Sequence, residues 1–162
     1  MAGVVVGLHV NPKGGVPKYP QATLEITRDG CVGDRQNDRR HHGGPERAVC
    51  LMKQSVLDAL QAMGHPIGPG TTGENLLIAG FDDVELCRGT VLNVGTVKLQ
   101  LTGDAPPCKT IQASFSEGKF SALSHKNNAE HTRWYARVLT PGFVALDDEV
   151  RAFNEGEQVG NL

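Results

Sequence analysis

The run GDRQNDRRHHGGPERAV, residues 33–49, concentrates four arginines, two histidines and a Gly-Gly-Pro break. Residues 35–47 carry a net charge of +2 in a chain whose formal net charge is −2. Gly43 and Gly44 can turn successive backbone N–H groups toward one point. Such a nest binds anions, and guanidinium groups such as those of Arg39 and Arg47 add bidentate contacts suited to phosphate. A phosphate-bearing cofactor or substrate would fit. The opposing reading is a solvated surface loop whose arginines pair with Asp34 and Asp38, since exposed charge clusters are common. His41 and His42, with Asp34 and Glu74, suggest a metal site, but no H-x-x-x-H or H-E-x-x-H spacing backs it. His125 and His131 are spaced too loosely to add weight. Histidines that shape a polar pocket through hydrogen bonds are the expected role.

Two further stretches hold reactive groups. GTTGENLLIAG (70–80) places Glu74 and Asn75 between a glycine turn and an apolar strand. There they could orient a ligand or accept a proton. Equally, Asn75 could close an Asx-type turn with Glu74 in solvent. In TGDAPPCKT (102–110), Cys108 follows a strand, is fixed by Pro106 and Pro107, and has Lys109 next door. A rigid exposed loop with a cationic neighbour is where a thiolate can be stabilised and reached. Cys50, in AVCLM, and Cys87, in ELC, read as small buried hydrophobes. Cys31 sits in the turn DGCVGD with no activating group beside it.

Bulk properties narrow the function. A length of 162 residues fits one domain, residues 1–162, with a core that needs no staples. A net charge of −2 argues against a nucleic-acid binder, whose phosphate contacts demand a basic face. The N-terminal MAGVVVGLHV lacks a basic leader region and any apolar run long enough to span a membrane. No C-x-x-C pair occurs among the four cysteines, so a zinc ribbon or thioredoxin-type motif is not expected. The thiols are expected to be reduced and the location cytoplasmic.

The elements that must position these groups are short and glycine-punctuated. Strands are expected at 3–10, 22–26, 47–52, 75–80, 84–87, 90–94 and 96–102, the last two forming a tight hairpin across Gly95. SVLDALQAMG (55–64) reads as a helix capped by Ser55 and stopped by Gly64, with Val56, Leu60 and Met63 on one face. WYARVLTPGFVAL (134–146) reads as a hairpin or a helix-to-strand step, with Pro141-Gly142 central in a type II turn. The pattern predicts a mainly β domain, a closed or nearly closed barrel with a few short helices, although a sandwich would give similar spacing.

Taken in order, GCVGDRQNDRRHHGGPERAV (30–49), PGTTGENLLIAG (69–80) and PPCK (106–109) resemble the MOSC domain, named after the C-terminal domain of molybdenum cofactor sulfurase. The GGVPK loop (14–18) and the tail WYARVLTPGFV resemble stand-alone bacterial members, so the likeness covers essentially the whole chain. It implies a mostly β fold around a distorted barrel and a role with sulfur or the molybdenum cofactor (molybdopterin). By this resemblance Cys108 is the sulfur carrier or the thiolate ligand to molybdenum, and Asp34, His42, Gly43, Gly44, Arg47, Glu74 and Asn75 line its pocket. Arg39 and Lys109 join them as cofactor-binding candidates. An association with pyridoxal phosphate comes at family level only. Many members carry an arginine three residues before the cysteine; here that place is Ala105, preceded by Asp104, and Lys109 is the cation left to compensate.

Three functions follow as expectations. The first is a molybdenum-cofactor-dependent oxidoreductase that reduces N-hydroxylated compounds. The chain has no flavin, haem or iron–sulfur motif, so an electron-donor redox protein is its expected partner. The second is a sulfur carrier, in which a cysteine desulfurase loads a persulfide onto Cys108 for a sulfur acceptor. The third is a non-catalytic module for a phosphorylated ligand. No nucleic-acid or membrane partner is expected, and a homodimer stays open.

Overall fold

The structure, a computed structural model, describes residues 2–35, 44–81 and 85–154. The chain opens with β1 (Ala2–Val10), β2 (Tyr19–Pro20), β3 (Thr23–Thr27) and β4 (Gly30–Cys31). A 3-10 turn at Pro45–Arg47 leads into β5 (Val49–Lys53), α1 (Gln54–Ala62) and β6 (Leu76–Ala79). β7 (Val91–Val94) and β8 (Val97–Asp104) follow. Three 3-10 segments at Lys109–Ser114, Ser116–Gly118 and Phe120–Leu123 precede β9 (Arg133–Thr140), β10 (Gly142–Ala145) and β11 (Glu149–Phe153).

Seven strands close into a barrel in the order β11-β7-β8-β9-β5-β6-β1, because β11 pairs with β1 as well as β7. That closure settles the choice between barrel and sandwich. β2 adds to the outside of β1, and β3 links β10 and β4 in a separate three-stranded sheet. β5 and β6 run parallel, and α1 lies in the crossover that a parallel pair requires.

Alternation along the strands sorts side chains into two layers. Val49 and Leu51 of β5, with Trp134, Ala136 and Val138 of β9, enter the barrel core. Met52 and Leu77 belong instead to an outer cluster with Val56, Leu57 and Leu60 of α1 and with Ile111, Phe115 and Leu123. The barrel therefore carries a second apolar layer on part of its outer wall. No helix among the described residues is long and apolar enough to cross a membrane.

Several local expectations change. Residues 85–87 are not strand, because the chain leaves the barrel between β6 and β7. The helix starts at Gln54 after an extended Lys53 with no side-chain cap, so Ser55 lies inside it. Met63 is 61% exposed, and Leu57 takes the inward place beside Val56 and Leu60. Gly64 has φ +94, the left-handed geometry that ends the helix. Thr140 and Gly142 do not start a hairpin: β10 leaves β9 and pairs with β3. Gly142 lacks the positive φ a type II turn needs at its third residue.

Candidate functional site

The outward residues of β5 and β9 form the floor of the candidate site. Cys50 and Tyr135 are partners across the two strands. With Ala105 they make a small cluster separate from the barrel core. Burial pushes the Cys50 thiol and the Tyr135 hydroxyl above their ordinary pKa ranges. The positive charge of Arg133 opposes that rise at both groups, and Arg47 opposes it at Tyr135. The Arg47 guanidinium carbon stands 5.4 Å from the Tyr135 ring centroid, a cation–π arrangement.

Cys108 sits at the head of the segment Lys109–Ser114 in extended backbone, and it is partly exposed. Ala105, three residues before Cys108, packs with Tyr135 and Cys50, so the loop that carries Cys108 and the Arg47 guanidinium, distant in sequence, both approach one tyrosine. Lys109 beside it is exposed and makes no ion pair with a carboxylate among the described residues. The run 105–107 that presents Cys108 is gripped from β9. Arg133 donates from Nη1 to the Thr72 carbonyl at 2.5 Å, and from Nη2 to the carbonyls of Ala105 at 3.2 Å and Pro106 at 3.1 Å.

Behind this floor lies a buried polar network. Asp34 accepts from Lys18 Nζ at 2.7 Å, Asn75 Nδ2 at 2.8 Å and the Asn11 N–H at 2.9 Å. Asn75 also donates to the His9 carbonyl at 3.1 Å and accepts the Cys50 N–H at 3.0 Å. Its amide thus clasps β1, β5 and Asp34. Glu74 accepts the Gly70 N–H at 2.6 Å and the Thr72 hydroxyl at 2.9 Å, and it is fully buried. Neither the solvent-facing Glu74 nor the simple Asx-type turn is what forms. Asp34, its side chain 6% exposed, is committed to Lys18; its expected pairing with the loop arginines Arg39 and Arg40 lies outside the described residues.

The expected site residues are only partly placed. Arg39, His42 and Gly43, with His41, lie outside the described residues. Gly44 has φ +90 with open space around its α-carbon, geometry that suits a nest. Cys87 is exposed rather than a buried hydrophobe, because its segment leaves the barrel. Cys31 lies in β4 and is buried, and that burial drives its thiol pKa upward. Among the described residues no group of three His, Cys, Asp or Glu side chains could hold a metal ion. A cavity of about 610 Å³ lies away from Cys108, between the start of α1 and residues 125–134, with His125, His131 and Lys53 in its lining.

Lys18, Arg133, Tyr135 and His9 escaped the sequence reading as site residues. Lys18 and Tyr135 stand inside quoted motifs, but only the fold shows that they face Asp34 and Cys50. Arg133 had one signal: a charge directly ahead of the apolar strand WYARVL.

The MOSC domain pattern matches residues 38–151. The uncharacterized protein YflK of Bacillus subtilis (strain 168) is 27% identical over 146 residues, 89% of this chain and 65% of its own. Protein YiiM of Escherichia coli (strain K12) is 26% identical over 129 residues, 76% of this chain and 56% of its own. A protein named Reductase from Gibberella moniliformis (strain M3125 / FGSC 7600) is 27% identical over 126 residues, 75% of this chain and 22% of its own. This chain therefore spans less than two thirds of the length of each of these relatives. Among solved structures, the YUAD protein from Bacillus subtilis superposes with a TM-score of 0.77 at 19% identity, covering 94% of this chain and 96% of that one. YiiM from Escherichia coli gives 0.71 at 22% identity, covering 96% and 71%. With its closed barrel and a family match over residues 38–151, most of its length, the chain belongs to the MOSC domain family.

Proposed function

We propose that this chain binds a molybdenum cofactor at the Arg47–Tyr135–Cys108 face and reduces N-hydroxylated compounds. The observation that carries the reading is that a half-buried guanidinium, Arg47, and the loop presenting a partly exposed thiol, through Ala105, both pack at Tyr135. The residues fit the group: a soft thiolate suits molybdenum, and the buried Nε of Arg133 has no hydrogen-bond partner, so the face favours an anion. The name Reductase borne by a relative supports the same reading.

In this scheme Arg47, Lys109 and the backbone around Gly44 hold the anionic pterin phosphate, and Arg39, His42 and Gly43 belong to the same loop. Asp34, Glu74 and Asn75 act from behind by fixing the wall on which Cys50 and Tyr135 stand. Cys108 supplies the thiolate. When bound, the cofactor supplies two-electron chemistry: an N–OH compound, two electrons and two protons give N–H and water. The electrons come from a separate redox protein. A reducing cytoplasm keeps the Cys108 thiol free.

The test is expression in cells competent to make the cofactor, followed by elemental analysis of the purified protein. Molybdenum is expected with the wild type and a fall of about tenfold or more in Cys108→Ser. A wild type that is metal-free and also refuses added cofactor overturns the reading. One added sulfur on Cys108 after incubation with a cysteine desulfurase, without metal binding, puts a sulfur carrier in its place. Unchanged affinity for phosphorylated ligands and no metal in Cys108→Ser and wild type alike leaves a binding module.

A further inference from the structure

Arg133 is 6% exposed, and its charge has no carboxylate partner among the described residues. The carboxylate nearest in the chain to its Thr72 contact, Glu74, is taken up by the Gly70 N–H and the Thr72 hydroxyl. Three carbonyl oxygens accept from the guanidinium ends, and Nε is left buried without a partner. A buried cation met only by neutral dipoles keeps a strong field, because little water screens it. Two of those carbonyls belong to Ala105 and Pro106, so the charge lies within three residues of Cys108 along the chain. Where the resemblance expects an arginine this chain has Ala105, and Arg133 brings a guanidinium to the Ala105 carbonyl from another strand.

We propose that Arg133 is the fixed positive charge of the site: it pins the 105–107 run and draws the anionic part of an incoming reactant to Cys108. The proposal rests on Cys108 being the reactive thiol of the proposed function, and not on which cofactor or reaction that thiol serves. Arg133 is a positioning residue, since its own nitrogens are covered and it acts through its field and its grip on the loop. Half-buried Arg47 and exposed Lys109 add charge near the same loop, so Arg133 accounts for part of the attraction.

Paired alkylation of the folded protein tests this. The thiolate of Cys108 attacks the methylene of iodoacetate or of iodoacetamide, a C–S bond forms and iodide leaves. Both reagents need the same thiolate, so the ratio of their rates cancels thiol acidity and loop access and reports local charge. Exposed Cys87 in the same tube is the reference. The iodoacetate-to-iodoacetamide ratio at Cys108 is expected to fall about threefold to tenfold in Arg133→Met and Arg133→Gln. Arg133→Lys is expected to keep it within about twofold, while the Cys87 ratio stays put. Rates that change together for both reagents at a constant ratio mean a bolt without a charge role, and overturn the proposal. Labelling of buried Cys31 and Cys50 identifies any variant that has unfolded. If both neutral variants unfold, a lost ratio in folded Arg133→Lys overturns the proposal and a kept one supports it. A protein that binds no molybdenum but shows the charge effect rejects the proposed function and leaves Arg133 standing.

Discussion

Lys18 Nζ lies 2.7 Å from Asp34 Oδ2, with the two side chains 4% and 6% exposed. An ion pair so enclosed ties the loop after β1 to the start of the arginine-rich run. Removing one member leaves the other charge buried, which costs far more than the intact pair contributes. Asp34→Ala would also strip the Asn11 N–H and one Asn75 donor of their acceptor. A loss of about 3–5 kcal/mol is expected in urea unfolding. Asp34→Leu with Lys18→Met should recover a large part of it, and a double variant as unstable as Asp34→Ala would refute the pairing.

Gly70 is the hinge of the turn that encloses Glu74. Its φ of +79 is closed to most side chains, and an added Cβ would overlap the Lys18 carbonyl oxygen. Its N–H is also the 2.6 Å donor to Glu74. Gly70→Ala should therefore destabilise by about 2–3 kcal/mol, from backbone strain and a weakened buried hydrogen bond. Gly64→Ala is the control: its φ is +94, but nothing lies near its Cβ position, so it isolates the strain. Equal losses in both variants would show that the Lys18 contact adds nothing.

The barrel was legible because strand signals are local: short apolar runs, Gly95 at the β7–β8 turn and glycine after the helix all act within a few residues. What escaped depends on closure. The partnership of Cys50 with Tyr135 and the reach of Arg133 to Ala105 join strands and loops far apart in the chain, and no local pattern encodes them. AVCLM is apolar on both sides of Cys50, a pattern that predicts a small buried hydrophobe. Burial was right, but alternation turns that residue outward into the site layer. Asp34 and Glu74 looked available for ligands because their neighbours in sequence are polar or glycine. Their partners, Lys18 and the Gly70–Thr72 turn, use up that capacity in the fold.

His9 of β1 is 2% exposed, and its Nδ1 has no hydrogen-bond partner, 3.9 Å from Glu74 Oε2. Burial lowers its pKa below the ordinary 6.5; the Glu74 charge and the Glu74 backbone pull the other way, and Lys18 adds slightly to the lowering. The folded protein therefore holds a neutral imidazole at pH values where the unfolded chain is already protonated. The sign follows: this contribution is complete above about pH 6.5 and is lost as pH falls below it, toward the lowered folded value. The slope for a single proton is at most about 1.4 kcal/mol per pH unit. His9→Gln removes the titrating group and keeps a polar side chain of similar size. The wild type should lose stability between pH 7.5 and 5.5 more steeply than His9→Gln. The other histidines are common to both proteins, so the difference between the two unfolding series isolates His9. Parallel series would mean that the His9 imidazole accepts its proton as readily inside the barrel wall as in the unfolded chain.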